Sequence, residues 1–104
     1  MKLRHLVVIW VLALIFMTAV HAQDKIKVEK GEKIYNNYCE TCHGENLVNS
    51  GQSFDLRRLK VGERPRFESS VQNGKGQMPP WRGVITDFDM DFIWAYIRTK
   101  ANDR

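Results

Sequence analysis

Residues 6–20 read LVVIWVLALIFMTAV, a run interrupted only by Thr18. Beyond residue 23 the pattern becomes amphipathic. Gly31, Ile34, Tyr35, Tyr38, Cys39 and Cys42 recur at helical spacing, which predicts a helix whose inner face runs into a cysteine pair. A glycine inside a helix costs about 1 kcal/mol relative to alanine. Gly31 is therefore expected either where a second backbone comes close or at the start of the helix. The last element is the most clearly marked. Thr86 is a suitable N-cap, Asp89 stands three residues later as in a capping box, and Asp87, Asp89 and Asp91 load the first turns with the negative charge that the helix dipole favours. Ile85 and Met90 flank that cap as a hydrophobic staple. Ile93, Tyr96 and Ile97 continue the inward stripe, with Phe88, Phe92 and Trp94 around it and Arg98 and Lys100 near the end. Pro65 can open a shorter helix through Gln72, with Gly74 near its close. Residues 44–63 are polar and irregular and are expected to be loop. With almost no alternating pattern, the chain is predicted to be all-α.

Lys2, Arg4 and His5 precede the apolar run, giving the basic and apolar regions of an export signal. Val20-His21-Ala22 offers small residues at the positions before a cut, so residues 1–22 are read as a signal peptide and 23–104 as the domain. The competing reading is a retained membrane anchor. A spanning helix needs about 20 apolar residues, and the run at 6–20 is shorter. Either way the domain crosses a membrane, and the periplasm is the expected location. Association with a membrane is expected only if the segment is retained. Lys2 and Arg4 leave with the signal, which halves the formal net charge of +4. The remaining charges are scattered, so nucleic acid is not an expected partner.

A domain this small buries too little surface to be comfortably stable alone and usually needs a disulfide, metal or cofactor as a second core. Its two cysteines lie three apart in Cys39-Glu40-Thr41-Cys42-His43, so a bond between them would tie no distant segments together. Cys-x-x-Cys-His is the attachment signature of c-type haem. On one helical turn both sulfurs reach the two vinyl groups of a single porphyrin, and His43 follows directly as the proximal iron ligand. Two other chemistries fit a Cys-x-x-Cys. Disulfide exchange wants a βαβ context, and a structural zinc wants four protein ligands where residues 23–104 hold two cysteines and one histidine.

For the sixth iron position, Met1 and Met17 belong to the signal, which leaves Met78 and Met90. Met78 lies in the Gly- and Pro-rich stretch Asn73-Gly74-Lys75-Gly76-Gln77-Met78-Pro79-Pro80, a loop that can aim a thioether inward. Met90 falls in the last helix, where a core role is the plain expectation. Met78 is the expected ligand, with an open or water-bound iron as the alternative. Arg57 and Arg58 can pair with haem propionates or face solvent.

Gly31-x-x-x-Tyr35-x-x-x-Cys39-x-x-Cys42-His43-Gly44, then Met78-Pro79, then Ile93-x-x-Tyr96-Ile97, resembles the class I cytochrome c family over nearly all of residues 23–104. The resemblance implies three to four helices around one haem c bound through two thioethers, with Gly31 and Tyr35 meeting Tyr96 where the first and last helices cross. One departure stands out. Members often carry a proline shortly after the motif whose carbonyl accepts from the ligand imidazole, and residues 44–63 contain none. The stretches Gln77-Met78-Pro79-Pro80-Trp81-Arg82-Gly83 and 92–98 also look like small cytochromes serving quinoprotein dehydrogenases. The expected function is a soluble, monomeric one-electron carrier rather than an enzyme. Its donor would be a dehydrogenase, including a pyrroloquinoline-quinone alcohol dehydrogenase, or a cytochrome complex; its acceptor would be a terminal oxidase or another cytochrome. The rival is a haem sensor with an open distal iron.

Overall fold

The computed structural model describes residues 2–102. Helix α1, Lys2–Tyr38, runs unbroken for 37 residues. Nothing in its sequence stops it: all three prolines lie at Pro65 or later, and the polar stretch after Ala22 is rich in Lys and Glu, which favour helix. Through residue 26 the side chains of α1 are exposed. This helix is long and apolar enough to cross a membrane, by length and composition. From residue 27 onward it packs into the rest of the protein.

The packing partner is α4, Asp87–Lys100. Gly31 sets their approach: a Cβ there would overlap the Phe92 carbonyl oxygen and stand 3.0 Å from the Tyr96 Cβ. Four residues on, the Tyr35 and Tyr96 rings meet at 5.4 Å between centroids. The crossing expected from the family resemblance is therefore present. Gly31 lies deep inside α1, which corrects the reading that it marks a helix start.

At its N-terminus α4 carries the expected capping box. Thr86 Oγ1 accepts from the Asp89 N–H at 3.1 Å, and the Asp89 carboxylate accepts from the Thr86 N–H at 3.0 Å. Ile85 and Met90 are both buried around it. Phe88, on the outer face, is 80% exposed.

Helix α3, Arg64–Asn73, has Pro65 in its first turn and ends at Gly74, as the residues suggested. Phe67 faces inward and stacks against Trp94 at 5.3 Å. Asp91 ties three helices together, taking Lys27 of α1 at 2.8 Å and Arg64 of α3 at 3.1 Å.

The expectation of plain loop over 44–63 needs refinement. Three single 3₁₀ turns, Glu45–Leu47, Leu56–Arg58 and Val61–Glu63, punctuate it. They let Leu47 and Leu59 plug into the core while the backbone between stays solvated. The Arg57 carbonyl accepts from Asn102 N–H, and the Leu59 carbonyl from Arg98, so this loop is fastened to the end of α4. Among the described residues the only pairing outside helices and turns is an isolated one, Lys75 with Met78. The all-α expectation is met.

Candidate haem site

Several side chains around the core stay half-covered. Cys39, Leu56, Met78 and Trp81 pack against the buried cluster yet keep part of their surface open. They include residues of both sequence segments singled out for chemistry.

The cysteine motif is built by a break in the helix. α1 ends at Tyr38, Cys39 acts as the hinge, and α2, Glu40–His43, is a single turn. Cys42 N–H and His43 N–H both donate to the Cys39 carbonyl, at 3.2 and 2.9 Å. That turn places the two sulfurs three residues apart and presents His43 next. The chain then leaves through Gly44 at φ +90°, where a Cβ would overlap the Val48 carbonyl. Tyr35 reaches from α1 to hold the exit, its hydroxyl donating to the Gly44 carbonyl at 2.6 Å.

His43 Nδ1 lies 3.2 Å from the Phe54 carbonyl and 3.1 Å from Ser53 Oγ. These residues supply the imidazole partner that the missing proline left unnamed. Sequence reasoning passed over them because they carry no motif. The only local hint is the turn chemistry of Asn49, whose side chain accepts from Gly51 N–H and donates to the Ser53 carbonyl. Burial lowers the His43 pKa below the usual histidine value, against the opposing pull of the Phe54 carbonyl. Burial thus favours the neutral ring, the form that can bind a metal.

The alternatives for the cysteines fare poorly. Burial, reinforced by neighbouring Cys42, pushes the Cys39 thiol up to about 12. Disulfide exchange runs on thiolates of depressed pKa. Among the described residues, no three His, Cys, Asp or Glu side chains come together as a structural zinc would require.

Met78 is set by the backbone. Gly74 turns the chain at φ +74° and Gly76 at φ +60°, while Lys75 and Met78 exchange backbone hydrogen bonds at 3.1 and 3.0 Å. Trp81 N–H then donates to the Val71 carbonyl at the end of α3 (2.7 Å). The Trp81 ring meets Tyr38, the residue before Cys39, edge-on at 5.4 Å. This ring contact ties the methionine loop to the end of α1, one residue before the cysteine motif. Met90, by contrast, is 2% exposed within the core face of α4. Arg57 is engaged by Asp55 through two hydrogen bonds of 3.0 and 2.9 Å, and Arg58 is exposed, so neither is visibly dedicated to a propionate. The Tyr96 hydroxyl is buried with no hydrogen-bond partner.

Two thiols on one turn, an imidazole held from behind and a thioether on a loop tied to the end of α1 form a donor set that suits a covalently attached haem. Fold and motif together define a class I, monohaem-type cytochrome c. Residues 27–97 match the family model described as "Cytochrome C oxidase, cbb3-type, subunit III", and the chain belongs to that cytochrome c family. Family membership makes it a haem-based electron-transfer protein with covalent haem c.

Among curated relatives, cytochrome c6 of Euglena gracilis is 30% identical over 80 residues, covering 68% of this chain and 90% of that protein. Cytochrome c6 of Euglena viridis is 32% identical, covering 69% and 91%. The quinohemoprotein alcohol dehydrogenase ADH-IIG of Pseudomonas putida is 31% identical over 84 residues. That match takes in 79% of this chain but only 12% of the enzyme. No solved structure matches.

Proposed function

We propose that the protein is a diffusing one-electron carrier of a periplasmic respiratory chain, with one haem c held through Cys39 and Cys42 and ligated by His43 and Met78. The Tyr38–Trp81 ring contact, which ties the methionine loop to the residue before Cys39, supports this reading. The haem supplies the Fe(III)/Fe(II) couple. The chain's own contribution is to hold, ligate and shield it. Cys39 and Cys42 remove the entropy of keeping the cofactor in place. His43 offers Nε2 while its other nitrogen is engaged. Met78 offers a soft sulfur, which raises the potential relative to harder ligand sets. Phe88 and the partly open wall at Trp81 leave apolar surface for brief docking, which in redox encounters uses interfaces below about 1,200 Å².

In this reading residues 1–22 are an export signal cut after Ala22, and 23–104 form the working, monomeric domain. The similarity to a quinohemoprotein alcohol dehydrogenase supports a dehydrogenase of that chemistry as donor. The acceptor would be a terminal oxidase or another cytochrome. The test is to mix the ferric, haem-loaded protein with a pyrroloquinoline-quinone alcohol dehydrogenase and its alcohol, and to follow reduction optically. Fast second-order reduction supports both carrier and donor. Reduction by ascorbate alone removes this donor and leaves the carrier. Ready binding of carbon monoxide by the reduced protein overturns the carrier in favour of a sensor with an open iron.

A further inference from the structure

We infer that Ser53 is a positioning residue for His43, its hydroxyl bridging the imidazole to the backbone of the cysteine turn and thereby setting the electron richness of the ligand. This rests on the proposal above that His43 Nε2 binds iron.

Proton counting fixes the direction of each bond. Ser53 Oγ lies 2.8 Å from the Cys42 carbonyl and 3.1 Å from His43 Nδ1. A carbonyl only accepts, so the single hydroxyl proton is committed to Cys42 and the oxygen can only accept from the ring. The second neighbour of Nδ1, the Phe54 carbonyl at 3.2 Å, is also purely an acceptor. Both partners therefore demand a proton on Nδ1, and the lone pair resides on Nε2. The tautomer needed for iron is thus selected by two groups rather than one.

The bridge does more than select a tautomer. A hydroxyl that donates to a carbonyl becomes a better acceptor at its own lone pairs. An imidazole whose N–H is drawn toward two acceptors is a more basic ligand, and second-sphere contacts of this kind tune a metal site. A more electron-rich imidazole favours the ferric state and so lowers the potential. The loop holds the pair in place from several directions. Asn49 donates to the Ser53 carbonyl at 2.7 Å, Arg66 stacks over the Phe54 ring at 4.7 Å, and Asp55 caps the 3₁₀ turn that follows.

The experiment compares the haem-loaded wild type with Ser53→Thr and Ser53→Val, which share a shape and differ in the hydroxyl. Redox titration and proton NMR are read on each. The expected result is an upward shift of the midpoint potential in S53V, with S53T at or near wild type. The His43 Nδ1–H resonance should move upfield in S53V alone, as its hydrogen bonding weakens. Equal potentials in S53T and S53V with an unmoved Nδ1–H, while the His43 ring protons keep their hyperfine shifts in the ferric state, would overturn the role of Ser53 alone. Ring protons without hyperfine shifts in the ferric wild type would overturn His43 ligation, and Ser53 with it. The wild-type spectrum decides this second point even if a variant does not fold.

Discussion

His43 is reached by acceptors ten and eleven residues further along, one of them a side chain, whereas Met78 sits where two glycines and a pair of backbone hydrogen bonds put it. In the proposed reading, two sulfurs anchor the cofactor on the first side and the surrounding side chains only adjust the ligand. On the second, the same reading makes the shape of the turn decide whether there is a ligand at all. A side-chain change near His43 should therefore tune the site, and a Cβ added near Met78 should break it.

The largest effect expected is on the cysteine side. Cys39→Ala with Cys42→Ala should abolish covalent haem completely, read as loss of haem stain on a denaturing gel. Met78→Ala should retain the stain in full, and a Met78 variant that lost it would erase the contrast between the two sides. Next comes the methionine turn. Alanine at Gly74 meets φ +74° and places a Cβ 2.6 Å from the Met78 carbonyl. Strain of this kind costs ~1–3 kcal/mol, measured by denaturant unfolding, and the displaced Met78 should weaken its signature on iron while the haem stays attached. Wild-type stability in Gly74→Ala would show that the turn is more pliable than its backbone suggests.

A smaller test lies in the tyrosine pair. Tyr35→Phe removes the bond to the Gly44 carbonyl and should cost about 1 kcal/mol, the usual net worth of a hydrogen bond. Tyr96→Phe removes a buried hydroxyl with no partner and should be neutral or stabilising. A loss at Tyr35 without one at Tyr96, from two tyrosines in ring contact, would sharpen the view that the proximal exit is held by specific bonds. Equal losses would reduce both to packing.

The smallest effect concerns Asp91, which serves the helix frame shared by both sides. Hydrogen bonding from Lys27, and then from Arg64, holds its carboxyl below the usual range. Because the folded value is depressed, the contribution is complete above the ordinary aspartate pKa of about 3.9 and is lost as pH falls through the lower folded value. The pair is partly exposed, so Asp91→Asn should cost ~0.2–1 kcal/mol at pH 7. That difference from wild type should vanish in acid. A difference that persists at low pH would mean the side chain acts through packing rather than charge.

The two sides also differed in how much of them could be read beforehand. Thr86 with Asp89, Pro65 at the head of α3, and the Cys39–His43 motif are local signals, and each works within a turn of where it is written. The loop that carries Met78 was legible because glycine and proline mark loops. The Gly31 crossing was legible only through the family resemblance, since nothing near Gly31 names Phe92 as its neighbour. Ser53 and Phe54 were not legible. Their contact with His43 closes a loop without periodicity, and it depends on where Leu47 and Leu59 anchor that loop in the core. The continuity of α1 was not legible for a different reason: the apolar run and the amphipathic stretch carry different patterns, and no residue between them marks whether the helix breaks or continues.

The central claim is that His43 and Met78 together close the iron. The most direct measurement is the optical spectrum of the oxidised, haem-loaded protein, wild type beside Met78→Ala. The expected result is a weak far-red sulfur-to-iron charge-transfer band in the wild type that is lost in the variant. A folded, haem-loaded wild type without that band would contradict the claim.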